Sequence, residues 1–187
     1  MGTSINCFFA HDGDWEPAAL ERRLDELCAT FAADVQAVRN GGQFSRDGGT
    51  WYVVHGAAES GEPDYLFGEG PAGLSIYVYH RVVCLGSAER FGALYDESYG
   101  IAIPLRRLIC SLAASLARPS IIAAAAAGMG DTDRAADVAY YELGSFDDVC
   151  RGLRHAAGDP TEDWHRLGEA GWYLGPAVAC PGGPTAG

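Results

Sequence analysis

Three histidines occupy comparable positions in the sequence, and histidine is the usual side chain for acid–base chemistry at neutral pH. His11, His55 and His80 each stand at the C-terminal end of a predicted strand, and Asp12 and Asp14 lie beside the first. If these strands are parallel neighbours, the side chains converge as metal ligands or as a general base with its orienting acid. A meandering chain instead places some of these ends on opposite edges, and no H-E-x-x-H or C-x-x-C spacing occurs. Scattered surface histidines are the alternative interpretation.

Two glycine-containing strings have the composition of ligand-binding loops. Gly68 to Gly73 matches G-x-G-x-x-G, but a dinucleotide fingerprint follows a strand and opens a helix, whereas this string contains Pro71 and precedes a strand. It predicts a turn that feeds the sheet. Gly128 to Asp133 lies between a predicted strand and a predicted helix, where Asp131 and Asp133 are candidate ligands for a hard cation. Acids at a helix start more simply indicate capping.

Other catalytic and cofactor-binding patterns are missing from the sequence. All 13 basic residues are arginine, which excludes a Schiff-base lysine, a pyridoxal phosphate anchor and a P-loop lysine. Ser75 lacks the second glycine of a nucleophile elbow and lies inside a predicted strand. No cysteine has a local nucleophile signature. We therefore expect no cofactor, and we favour a non-enzymatic role.

The charge of the chain indicates the kind of partner. With 25 acidic and 13 basic residues the net charge is −12, which repels nucleic acids and acidic membrane surfaces and steers basic proteins toward the molecule. No apolar run approaches the roughly 18 residues of a membrane span. The sequence thus predicts neither nucleic-acid nor membrane binding, and it favours a basic protein partner.

Tyrosines on one predicted strand supply a candidate binding face. Tyr77 and Tyr79 alternate with apolar residues, so they form an aromatic platform if exposed, or pack beneath a second layer if covered. Glu69 and Asp64 in the preceding segment complete the candidate binding set. The leading hypothesis is a small acidic cytoplasmic protein-binding domain of the immunity (antitoxin-like) kind that neutralises a basic partner. The alternative is a small metal-dependent or hydrolytic enzyme using His11, Asp12, His55 and His80 at strand ends.

Hydrophobic periodicity predicts the elements that position these residues. Apolar residues at helical spacing indicate helices near 17–33 and 104–118, and Ser87 and Ser145 are predicted to cap further helices. We expect strands at 35–39 and 50–55. The run from Gly68 to Gly86 is either a hairpin turning at His80-Arg81 or one kinked strand. Residues 121–127 are interpreted as a strand, although their alanines favour helix.

These elements predict one α+β domain over residues 1–174. Its sheet is mixed or mostly antiparallel, has about five or six strands and packs against several helices. Residues 175–187, rich in glycine and proline, are predicted to be a flexible tail. Scattered cysteines indicate reduced buried thiols, and the N-terminal residues lack the basic and apolar regions of a signal peptide, so we expect a cytoplasmic protein.

Overall fold

The computed structural model of the protein describes residues 4–42, 49–56, 61–128 and 132–177. These residues form an α+β body with one antiparallel sheet, as predicted, although the sheet has seven strands, slightly more than expected. The strands are β1 Ser4–Ala10, β2 Tyr52–His55, β3 Leu66–Glu69, β4 Leu74–Val78, β5 Val82–Ser87, β6 Ile121–Ala127 and β7 Trp172–Pro176. The helices are α1 Pro17–Thr30, α2 Ala32–Gly41, α3 Ala102–Leu116, α4 Arg134–Tyr140, α5 Phe146–Ala157 and α6 Leu167–Ala170.

The order of the strands decides which loops share an end of the sheet. That order is β2-β3-β4-β5-β1-β6-β7, and every neighbouring pair is antiparallel. Because β1 and β4 both oppose β5, and β2 and β4 both oppose β3, the strands β1, β2 and β4 run in the same direction. Their C-terminal ends therefore lie at one end of the sheet. The expectation that a meander would separate them is wrong.

The first face of the sheet carries the larger core, against α1, α2 and α3. Alternate strand residues such as Ile5, Cys7 and Phe9 point into this core and are buried. The predicted strand at 35–39 is wrong, because this segment lies within α2. Helical geometry there buries valines three residues apart, and the carboxylate of Asp34 accepts hydrogen bonds of 3.0 and 2.9 Å from Nε of Arg107 on α3.

The second face is covered by α4 and α5 over only part of its width. Their apolar side chains pack on buried residues of β1, β5, β6 and β7, among them Phe8, Cys84 and Trp172. The predicted cap of α5 is confirmed: Ser145 Oγ accepts from the Asp148 backbone N at 3.3 Å, and Asp148 Oδ2 accepts from the Ser145 N at 2.9 Å. This reciprocal pair fixes the start of α5.

The connections near β4 show whether Gly68 to Gly86 is a hairpin or a kinked strand, and what the glycine string at its start does. The run from Gly68 to Gly86 is a hairpin, closed where the N–H of Tyr79 donates to Val82 O at 2.9 Å. The glycine string is a turn that feeds the sheet, since Gly70 N donates to Leu74 O across it at 2.9 Å. The backbone here is left-handed at Gly73, with φ 66°, a conformation that glycine adopts without steric cost.

Other predicted segments are confirmed with shifted ends or corrected. Residues 121–127 form strand β6 despite their alanines, and the predicted helices at 17–33 and 104–118 correspond to α1 and α3. The helix expected after Ser87 is only a 3₁₀ turn at Phe91–Leu94. Strand β7 extends through Pro176, two residues into the predicted tail, and residues 178–187 lie outside the described part of the chain.

Both outer edges of the sheet are hydrogen-bonded by groups from outside it. At the β2 edge, Asp25 and Glu21 of α1 accept from the backbone N of Trp51 at 2.9 Å and of Val53 at 3.0 Å. At the β7 edge, Thr161 N donates to Trp172 O at 3.0 Å and its carbonyl accepts from the N–H of Leu174 at 2.9 Å. Each edge strand therefore has part of its free backbone occupied.

The cysteines of the described ranges behave as core residues. Each is buried and in the free thiol form, as predicted: Cys7, Cys28, Cys84, Cys110 and Cys150. Burial is the main cause that raises the pKa of Cys84 to about 12, so this thiol is neutral at physiological pH. In the same ranges, no helix combines the length and the apolar character that crossing a membrane requires.

Candidate binding groove

The second face of the sheet is open over β2, β3 and β4 in the described part of the chain. On these strands the residues that point to the first face are buried, and His55 at the end of β2 is the exception. The residues that point to the second face are all partly or fully exposed. Tyr52, at 65 % exposure, is the most exposed large hydrophobic side chain among the described residues. The open face carries Tyr52, Val54, Phe67, Glu69, Ser75 and Tyr77.

A groove of about 870 Å³ runs from this open face toward α4. It crosses a row of paired residues in which Gly86 of β5 stands between Asn6 of β1 and Ser75 of β4, and Ser75 is paired in turn with Glu69 of β3. A β-carbon on Gly86 would overlap Ser75 Oγ and would lie 3.8 Å from Asn6 Oδ1. The missing side chain of Gly86 therefore leaves room for the Ser75 hydroxyl at the floor of the groove.

The oxygens above Gly86 are available to a ligand. Within the described residues, the side chains of Asn6 and Ser75 make no hydrogen bond to another protein group, and both are half-buried. A hydroxyl donates and accepts hydrogen bonds, and an amide accepts through its oxygen and donates through its nitrogen. The floor of the groove thus presents polar groups, including two acceptor oxygens, to a ligand that enters it.

Aromatic rings form the wall of the groove on the β4 side. Tyr77 lies 4.9 Å from Phe67 and 6.0 Å from Tyr79, measured between ring centroids, and Tyr65 and Tyr140 extend the cluster toward α4. Tyr77 and Tyr79 are each half-buried. They are therefore neither an isolated exposed platform nor fully covered by a second layer, the two arrangements considered from the sequence. Tyr77 borders the opening, and Tyr79 packs beneath α4.

The phenols of Tyr77, Tyr79 and Tyr140 carry no charge at neutral pH. Burial is the largest cause raising the pKa of Tyr77 and of Tyr79 above the ordinary tyrosine value. Burial, followed by the hydrogen bond from the Tyr140 hydroxyl to Glu62, raises the pKa of Tyr140 to about 12. Among the described lining residues of the groove the one charged side chain is Glu69. The groove is therefore weakly acidic with an apolar wall.

The structure divides the predicted binding set between two places. Glu69, Tyr77 and Tyr79 line the groove, whereas Asp64 lies at the end of the sheet near the predicted histidines. There a second cleft of about 470 Å³ is lined by His11, Asp12, Asp14, His55, Asp64, His80 and Arg81, among others. The shared direction of β1, β2 and β4 brings these residues to one cleft.

His11 lies within hydrogen-bond distance of two backbone carbonyls and stacks on a neighbouring ring. Its Nε2 lies 2.8 Å from Tyr79 O and its Nδ1 lies 3.1 Å from Gly13 O, while its ring stacks on Trp15 at 5.0 Å. Carbonyl oxygens only accept, and a neutral imidazole donates through one nitrogen. His11 thus ties the end of β1 to the β4–β5 turn, whereas His55 and His80 are exposed in the cleft.

The candidate metal ligands do not gather in the described ranges. There, no three histidine, cysteine, aspartate or glutamate side chains group so that they could hold a metal ion. Asp133 precedes α4, and its Oδ1 accepts from Gly128 N at 2.8 Å, which closes the loop before the helix. Asp131 lies outside the described residues.

Sequence reasoning missed two residues at the floor of the groove. Asn6 is the one polar residue between Ile5 and Phe9, and Gly86 interrupts the apolar run that begins at Val82. A polar residue and a glycine inside strands are signals of a special site. What the sequence does not show is that β1 and β5 are neighbours, which places both residues in one row.

Known proteins give no external guide to this groove. No protein-family model, curated protein or solved structure matches the chain. The function therefore follows from the geometry, the charge and the exposed side chains described above.

Proposed function

We propose that the protein is a small acidic cytoplasmic protein-binding domain that captures a basic protein, in the manner of an immunity protein that neutralises a toxin. The observation that carries this proposal is the open second face of β2, β3 and β4, where aromatic side chains lie beside Glu69 on a molecule of net charge −12. Aromatic residues are enriched in the energetically important part of protein interfaces. Opposite charge raises the rate at which a partner arrives.

The acidic field and the aromatic face have separable roles in this proposal. Long-range attraction acts before contact and weakens as salt shortens the Debye length. Burial of Tyr52 and Phe67 acts after contact and governs mainly the dissociation rate. A partner bound by this face should therefore show both a salt-dependent association rate and a dissociation rate that depends on these rings.

The test is biolayer interferometry with purified basic proteins encoded by genes adjacent to this one. We expect association to slow at least about tenfold as salt rises from low to above physiological concentration. Tyr52→Ala and Phe67→Ala should each weaken affinity by roughly tenfold or more, as expected for interface hot spots. Ile103→Ala is the matched control, because Ile103 is also exposed, at 43 %, but lies on α3 against the first face. Absent binding, or binding with no salt dependence, contradicts the proposal.

The cleft at the sheet end supports a second candidate, a small hydrolytic enzyme. Its supporting observation is that exposed His55 and His80 share a cleft with Asp12 and Asp64. Turnover of an activated ester is the measurement. Loss of turnover in His80→Ala, with His155→Ala on α5 as the exposed control, supports this candidate, and absence of turnover in the native protein contradicts it.

A further inference from the structure

The groove floor is shaped for a ligand that donates several hydrogen bonds. Ser75 Oγ occupies the position that a β-carbon on Gly86 would take, and Asn6 Oδ1 lies 3.8 Å from that position. Glu69 is the direct cross-strand partner of Ser75 and continues the same row on β3. Acceptor groups from β1, β4 and β3 thus lie along one row that borders the groove.

The electrostatics of the groove select a cationic donor. Glu69 supplies one negative charge, and the described lining contains no basic side chain. The thiol of Cys84 and the phenols of Tyr77 and Tyr79 are neutral, because burial raises the pKa of each. An anion meets no basic side chain among the described lining residues, and Glu69 and the net charge of −12 repel it.

We propose that the groove is a slot for an arginine side chain of the basic partner, with the guanidinium above Gly86. The planar guanidinium offers five N–H donors and stacks on aromatic faces, which matches oxygens from Ser75, Asn6 and Glu69 beside the Tyr77 ring. This inference rests on the proposed function, since the basic partner supplies the arginine. A groove of about 870 Å³ is larger than one side chain, so it also admits the backbone segment that carries the arginine.

The test is an NMR titration of the ¹⁵N-labelled full chain with N-acetyl-arginine amide. We expect saturable shifts at the backbone amides of Asn6, Ser75 and Gly86. The matched probe is N-acetyl-citrulline amide, which keeps the shape and replaces the guanidinium by a neutral urea, and we expect it to bind at least about fivefold more weakly. Absence of saturable shifts at these amides, or equal binding of the two probes, overturns the slot.

Variants of the chain test whether arginine binding depends on the Glu69 charge and on the absence of a side chain at Gly86. Glu69→Gln should weaken arginine binding about fivefold, as expected for a partly exposed ion pair. Glu162→Gln is the control, because Glu162 is an exposed acid far along the chain and its replacement makes the same charge change. This control should leave binding unaltered. Gly86→Ala places a methyl group where Ser75 Oγ lies, which displaces that acceptor and should abolish binding. If Gly86→Ala does not fold, as judged by circular dichroism, comparison of Glu69→Gln with Glu162→Gln and the citrulline probe still test whether the groove binds arginine.

The slot and the proposed function fail in different ways. If the arginine probe binds at Gly86 while no basic protein associates, the slot is supported and the proposed function is wrong. If a basic protein binds with salt dependence, but the probe does not bind and Glu69→Gln leaves that affinity unchanged, the slot alone is wrong.

Discussion

Replacement of Ser145 by alanine tests whether the reciprocal cap at the start of α5 holds the second layer of the protein in place. The Ser145 hydroxyl accepts from Asp148 N at 3.3 Å and donates to Asp148 Oδ2 at 2.7 Å. Loss of a serine N-cap costs about 1 kcal/mol. For a chain of this size we therefore expect the melting temperature to fall by about 2–4 °C. Ser111→Ala on α3 is the control, because no hydrogen bond of the Ser111 side chain occurs in the described part of the chain.

The pH dependence of this loss provides a second, independent check. The Ser145 hydroxyl, with smaller contributions from the Ser145 backbone and Arg151, lowers the pKa of Asp148 from 3.8 to about 2. A carboxyl whose folded pKa is depressed stabilises the fold above its unfolded pKa, and that stabilisation disappears as pH falls through the folded value. Alanine at 145 removes the main cause of the shift. The stability difference between native protein and variant should therefore shrink as pH falls from about 4 toward 2.

Thermal unfolding followed by circular dichroism at several pH values measures both effects. Equal melting temperatures for native protein and Ser145→Ala at neutral pH would refute the cap as a source of stability. A difference that stays constant from neutral pH down to about 2 would refute the coupling to Asp148.

Three further predictions concern the tyrosine cluster, the β1 end and the first core. The pKa values of Tyr77, Tyr79 and Tyr140 are raised, so their phenolate absorbance should develop late in an alkaline titration. The stability that these groups contribute should be retained below about pH 10 and lost above it. Early ionisation of all tyrosines contradicts this prediction. His11→Ala should cost about 1–2 kcal/mol and speed amide exchange at the β4–β5 turn, measured by hydrogen exchange; unchanged exchange there argues against the tie. Asp34→Asn should lower the urea midpoint, with a loss of about 1–3 kcal/mol, because it weakens the pairing with Arg107; an unaltered midpoint contradicts that role.

Local sequence signals predicted the elements whose formation depends on nearby residues. Alternating apolar residues in 74–78 predicted a strand and Ser145 predicted a helix start, and both are confirmed. Residues 35–39 were misassigned because two valines in a short segment suit a strand as well as a helix. The contact that favours the helix, from Asp34 to Arg107, spans 73 positions and is invisible locally.

The candidate site depended on strand order, which the sequence did not provide. Glu69, Tyr77 and Tyr79 were identified because charge and alternation mark them directly. Asn6 and Gly86 gain meaning only when β1 pairs with β5. Similarly, the grouping of His55 and His80 at one end of the sheet follows from two antiparallel pairings, of β2 and of β4 with β3, and the sequence states neither of them directly.

The occupied edges of the sheet bear on how the protein behaves when it is abundant. Free strand edges recruit strands from other molecules, which is a common route to fibrils and exchanged dimers. Here carboxylates of α1 hold the backbone of Trp51 and Val53, and Thr161 holds the backbone of β7. The aromatic face of β2, β3 and β4 is open in the described part of the chain, whereas part of the backbone at each strand edge is already hydrogen-bonded. Pairing with another molecule through these strands would first have to break those hydrogen bonds.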